Sequence, residues 1–170
     1  MVAPSTKSAL GRLAREHIVG DRGNIVLNQE SDTADAAGIK PQRIFLYAHW
    51  DGYRLPRTLQ EALIKASDEG SQYPQSRWGD ESYLGRIIFQ QMINDADGIT
   101  GYGISTYQGD GEHPLLVVDS DKQTVHLEAL FSDDRAVTHG PWTFEQYVAM
   151  DLCPNDDDYE TWNTLTGGAE

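Results

Sequence analysis

Apolar positions recur along this 170-residue chain in two periods, and the switch between them marks its elements. Over residues 43–50, Ile44, Leu46, Ala48 and Trp50 fall on one face, with Phe45, Tyr47 and His49 on the other. Apolar bulk on both faces predicts a central strand covered on both sides. The period of two breaks at His49-Trp50-Asp51-Gly52-Tyr53, where Asp51-Gly52 supplies a turn. Pro56 suits the first turn of a following helix, and Leu59, Ala62, Leu63 and Ala66 form one apolar stripe that runs until Gly70. After a loop over 71–79, Asp80 or Ser82 can cap a second helix. That helix buries Leu84, Ile87, Ile88 and Met92, widened by Phe89 and Ile93, and stops over 94–98.

Around this centre the same reading gives a short strand over 24–28 and a polar loop over 30–41. A helical spacing of Leu10, Leu13, Ala14 and Ile18 lies further upstream. The second half predicts strands over 101–107, 113–118 and 124–130, with turns over 108–112 and 119–123, as an antiparallel meander. Residues 133–140 read as a loop, and Thr143 opens a short helix through a Thr-x-x-Gln capping box with Gln146. The order β-β-α-α-β-β-β-α predicts a single α+β domain: an antiparallel sheet of about five strands with two to four helices packed on it. Its parts are an N-terminal arm with a short helix (1–23), the α+β domain (24–152) and an acidic tail (153–170), part of which Trp162 would pin back.

Composition agrees with a folded chain: 39% hydrophobic and 9% aromatic residues. No apolar run approaches the ~20 residues of a membrane helix. The first ten residues lack the apolar core of a secretory signal, so a cytoplasmic location is expected. Cys153 is the single cysteine, which excludes an internal disulfide and a cysteine-based zinc cluster. Charge changes the picture most. There are 13 Lys and Arg against 27 Asp and Glu, a net charge of −14. Residues 1–23 carry +2 and residues 151–170 carry −6, leaving −10 between them. Such a surface repels phosphate, which argues against direct nucleic-acid binding. It attracts a basic protein, including one whose own ligand is nucleic acid.

Residues 46–53, Leu-Tyr-Ala-His-Trp-Asp-Gly-Tyr, are reached from Arg22-Gly23-Asn24-Ile25-Val26-Leu27. They resemble a group of small proteins found in bacteriophages and actinobacteria that share a Tyr-Arg-His-(Ser/Trp)-Asp-Gly-Tyr-Pro core. The later Leu116-Val117-Val118-Asp119 and Trp142-Thr143-Phe144-Glu145 stretches look like that group too. Ala48 stands where the group has Arg, and Arg54 where it has Pro. The resemblance implies a setting, that of a phage accessory protein in the host cytoplasm, rather than a chemistry.

Candidate chemistry is sparse. His49 and Asp51 could act as base and orienter or share a metal, with His126 as a third member. A turn accounts for Asp51-Gly52 without any site. Asp95-x-Asp97-Gly98 and Asp119-x-Asp121 lack the Gly and Glu of a calcium loop. Residues 98–103 are Gly-rich but lie between a helix and a strand, the reverse of a phosphate loop. No metal centre and no cofactor motif is expected.

Three functions follow. The first is a non-enzymatic acidic accessory protein that binds and inhibits a basic host protein of defence or nucleic-acid handling, by mimicry of nucleic acid. The second is a nucleotide-binding sponge: Trp50, Tyr53, Trp78 and Tyr83 stack a base while Arg54, Arg57, Arg77 or Arg86 hold its phosphates. The third is a metal-dependent phosphoester hydrolase built on His49, Asp51 and His126.

Overall fold

Six strands hydrogen-bond into one mixed sheet: β1 (Gly23–Gln29), β2 (Gln42–Ala48), β3 (Tyr102–Ser105), β4 (Leu115–Asp119), β5 (Thr124–Glu128) and β6 (Val137–Thr143). Their spatial order is β3-β2-β1-β4-β5-β6. β1 and β4 run parallel, and every other neighbouring pair is antiparallel. Among the described residues four α-helices accompany the sheet: α1 (Leu55–Ala66), α2 (Glu81–Asn94), α3 (Phe144–Val148) and α4 (Thr161–Thr166). The architecture is α+β in a single domain, with one strand more than expected. This computed structural model describes residues 20–29, 42–67, 76–94, 101–153 and 160–167. The helix expected over 10–18, the loop over 30–41, most of the 71–79 loop and the 95–98 helix stop lie outside them.

Two strand expectations need correction. Only half of the meander forms: β4 and β5 pair as an antiparallel hairpin, but β3 crosses to the far edge beside β2 while β4 enters parallel to β1. The fully covered centre is therefore β4, all of whose residues are buried, together with β1, buried from Gly23 to Asn28, rather than β2. β6 occupies part of what read as a loop over 133–140. Its side chains are mostly exposed and it contains Gly140-Pro141, so it carries neither strong period nor strand composition. Only an edge position tolerates a proline in this way.

The helices form as their spacing requires. Leu55, Leu59, Ala62, Leu63 and Ala66 put the apolar stripe of α1 onto the sheet, all nearly inaccessible to water. α2 adds Leu84, Ile88 and Met92. Asp80 caps it: the Tyr83 N–H donates to Asp80 Oδ1 at 3.3 Å. The capping box at Thr143 and Gln146 is present on both sides, and Phe144 and Tyr147 enter the same core. Within the C-terminal stretch, α4 buries Trp162 and Leu165. Ile25, Leu27, Leu46, Leu116, Val118, Val125 and Leu127 supply the sheet's side of this core. Among the described residues no helix is long and apolar enough to cross a membrane.

All four helices contribute to one core, on one face of the sheet. The opposite face holds only a small apolar patch of Val26, Phe45, Leu115 and Val117, with Leu130 packed against it. The loops around 106–112 and 129–135 lie over that face: Gly109 and Gly111 approach Asn24, and Gly111 also approaches Leu130.

One polar side chain ties the helical layer together. Gln60 Nε2 donates toward the carbonyls of Tyr147, Val148 and Met150 at 3.2, 3.1 and 2.7 Å, capping the end of α3 from α1. Replacing Gln60 by Leu should cost about 1–3 kcal/mol, because half-buried carbonyls lose their donor. Urea unfolding measures it, and a cost under a few tenths of a kcal/mol would show that water substitutes.

Candidate functional site

The His49-Trp50-Asp51-Gly52-Tyr53 segment forms a knot that joins distant parts of the chain. Residues 52–54 make one 3-10 turn leading into α1. Asp21, just before β1, accepts from the Gly52 N–H through its carbonyl at 2.8 Å and from the Tyr53 N–H through Oδ2 at 3.0 Å. Its Oδ1 lies 2.5 Å from His113 Nε2. The His113 ring stacks on Trp162 with centroids 4.9 Å apart. Trp162 Nε1 donates to the Gly52 carbonyl at 2.9 Å, and Thr161 Oγ1 donates to the Tyr53 carbonyl at 2.7 Å. The starts of β1, β4 and α1 and the C-terminal helix thus converge on one residue. Gly52 is required there, because a Cβ would lie 2.8 Å from the Asp21 carbonyl oxygen and 2.9 Å from the His113 ring.

This network absorbs the catalytic candidates. The Tyr47 hydroxyl meets His49 Nδ1 at 2.9 Å, and the Trp50 ring meets the His49 ring edge-on at 4.2 Å. Asp51 accepts from the Tyr102 hydroxyl and thereby anchors β3. His126 lies elsewhere. It pairs with Val117 on β4, so β1 and β4 separate its strand from that of His49. At ~4.8 Å per strand this is roughly 14 Å before any offset along the strands. His49, Asp51 and His126 do not meet. Among the described residues no group of three or more His, Cys, Asp or Glu side chains could hold a metal ion.

The proposed nucleotide group is divided as well. Trp50 (54% exposed), Tyr53, Arg54 and Arg57 sit at the start of α1. Arg57 pairs with Glu61 at 3.1 Å and approaches Cys153 Sγ at 3.7 Å. Arg77, Trp78 and Arg86 lie toward the other end of the helix pair. Along α1, Arg57 and the Leu63 carbonyl that Trp78 meets are six residues apart, about 9 Å. Trp78 is partly buried, donating from Nε1 to the Leu63 carbonyl at 2.8 Å and packing edge-on against Phe144. The exposed ring of Tyr83 lies between Arg77 and Arg86, whose guanidinium carbons stand 4.6 and 5.9 Å from its centroid.

Sequence reading missed the polar face of the sheet. Arg43 on β2 is 10% exposed and Glu128 on β5 is 3% exposed, yet they form a two-point ion pair at 2.6 and 2.8 Å. The pair is diagonal. Arg43 stands level with Asn28 and Asp119, whereas Glu128 stands level with Leu115, four residues back along β4. The right-handed twist of the sheet draws these corners together across three strand spacings. His126 Nε2 completes the cluster, 3.1 Å from Glu128 Oε1. Burial works to raise the Glu128 carboxyl, but hydrogen bonds from Arg43 and His126 outweigh it and hold the carboxyl down at about 2, from an ordinary 4.5. Beside this pair lies a polar cavity of about 550 Å³, walled by Arg43, Phe45, Tyr107, Gln108, Glu128 and Arg135 among others. A groove of about 560 Å³ on the helical side, between α2 and β2, is apolar by contrast. The one sequence signal for the polar face was alternation itself: Asn24 and Asn28 on β1 and His126 and Glu128 on β5 each repeat with the strand period.

Two outcomes test these contacts. Gly52→Ala should destabilise the fold by about 1–3 kcal/mol, through overpacking against backbone; unfolding within 0.5 kcal/mol of the parent, by the same linear extrapolation, would mean the knot yields. The depressed Glu128 carboxyl contributes stability that is complete above about pH 4.5 and is lost as pH falls toward about 2. Glu128→Gln should therefore flatten the decline in unfolding free energy across that window, by on the order of 3 kcal/mol in total. Parallel declines in parent and variant would deny that the buried pair carries the acid sensitivity.

No protein-family model, curated protein or solved structure matches this chain.

Proposed function

We propose that the protein acts by binding rather than catalysis, presenting carboxylates to a basic protein in place of nucleic-acid phosphates. The observation that carries this reading is how the charges are disposed. At least five of the nine Lys and Arg among the described residues are committed to ion pairs within the chain: Arg22, Arg43, Arg57, Arg77 and Lys122. Asp121, Asp133, Asp134, Glu145 and Asp151 are exposed and make no ion pair among those residues. Much of the positive charge is thus matched within the chain, while these carboxylates face solvent without a cation of their own.

Some carboxylates are also crowded. Partial burial, then the neighbouring charges of Asp121 and Asp80, raise the Glu81 carboxyl above its usual range. Asp110 and Glu112 share the single cation Arg22. Like charges held this way destabilise the free protein and are relieved by a cationic partner, which favours association and speeds encounter. In the phage-like setting implied by the 46–53 motif, the partner would be a host defence or nucleic-acid-handling protein met in the host cytoplasm.

Capture from host lysate on the immobilised protein tests this. Retained partners should be basic, should elute as salt rises from about 0.05 to 0.5 M, and should be displaced by DNA. Changing Asp121, Asp133, Asp134 and Glu145 together to Asn or Gln should weaken capture at least about tenfold. Capture that ignores salt and survives those substitutions, or partners that are not basic, would contradict the proposal.

A further inference from the structure

We propose that the cavity on the helix-free face of the sheet binds a small organic anion, an aromatic ring carrying a phosphate or carboxylate. The inference is independent of the acidic surface. The cavity, about 550 Å³, is of ligand size. Two donors in its wall have no acceptor: Arg43 Nε and Gln108 Nε2 are buried and unpartnered. A buried donor left unpaired is costly to a fold, and an acceptor in this cavity would satisfy the Gln108 amide. Neither nitrogen touches solvent. Gln108 is only half-buried, however, and nothing in the fold holds its NH2, so a rotation of its side chain presents that donor to an entering oxygen.

Charge selects an anion. Glu128 neutralises Arg43, and the remaining charged lining residue is Arg135, which is exposed and makes no ion pair among the described residues. The lining residues thus sum to a net positive charge within a chain of net charge −14, with Asp133 and Asp134 beside them on the rim loop. On the same rim the Ser132 hydroxyl donates to the Asp134 carboxylate. The remaining lining calls for a ring: Phe45 and Leu115 form an apolar floor, and Tyr107, 74% exposed, offers a stacking face at the mouth. The rim is also strained. Phe131 and Arg135 hold left-handed backbone conformations, with φ of 56° and 52°. Non-glycine residues accept such conformations where the surrounding structure demands them, and ligand clamps are one such place.

Calorimetry and thermal melting with the intact protein decide the matter, using AMP, UMP, benzoate, acetate and inorganic phosphate as probes. A nucleotide or benzoate should bind, and at about hundredfold excess over its Kd should raise Tm by about 5 °C or more. Binding of nucleotides but not benzoate assigns a phosphate-bearing ligand, and the reverse assigns a carboxylate. Tyr107→Ala and Arg135→Gln, both exposed and outside the core, should each weaken binding at least about tenfold while circular dichroism stays unchanged. The proposal fails if no ring-bearing anion binds, if phosphate or acetate binds as tightly, or if either variant keeps full affinity.

Discussion

The structure depends on how a six-stranded sheet is closed when its helices cover one face only. α1 to α4 bury the side formed by Ile25, Leu46, Leu116 and Leu127. The other side has an apolar patch too small to close itself, flanked by Asn24, Asn28, Arg43, His126 and Glu128. The two-point bond between Arg43 and Glu128 spans that face and fixes β2 to β5 across two intervening strands. A buried ion pair carries a large desolvation cost that its own attraction roughly offsets. Its value here is geometric: it joins β2 to β5 where the twist brings them together, and it shapes the wall of the cavity beside it.

The second organising feature is the Gly52 knot. Residues 21, 52, 113 and 162 come from four regions of the chain and converge through hydrogen bonds and one ring stack. It explains why His49, Asp51 and Tyr53 carry an active-site look without an active-site arrangement, since their polar atoms close a turn and dock neighbouring segments. A ligand, as proposed, would meet the polar sheet face instead, and a basic partner the outer carboxylates. The two surfaces adjoin, because the loop that brings Ser132 and Arg135 to the cavity also carries Asp133 and Asp134.

Local features were legible in the sequence and long-range ones were not. The stripes of α1 and α2, the Asp80 cap, the Thr143–Gln146 capping box and the Asp119 turn follow from residues within one or two helical turns of each other. In that turn Asp119 Oδ1 accepts the Lys122 N–H at 2.9 Å. The meander formed only in half because nearest-neighbour pairing is only the commoner choice for consecutive strands. Nothing in Tyr102-Gly103-Ile104-Ser105 says that it pairs with β2 rather than β4. β6 was hidden by its exposure and by Gly140-Pro141. The Arg43–Glu128 pair joins residues 85 positions apart, and alternation alone could place each on a polar face without saying that the faces meet.

The direct test of the central claim is a double-mutant cycle on the cross-sheet pair. Arg43→Met and Glu128→Leu would each strand a buried charge, and each should cost about 3–5 kcal/mol. The double substitution, which removes both charges and keeps apolar bulk, should cost little more than either alone, giving a coupling energy of at least about 2 kcal/mol. Additive single costs, with coupling below about 0.5 kcal/mol, would show that the two side chains do not close this face together.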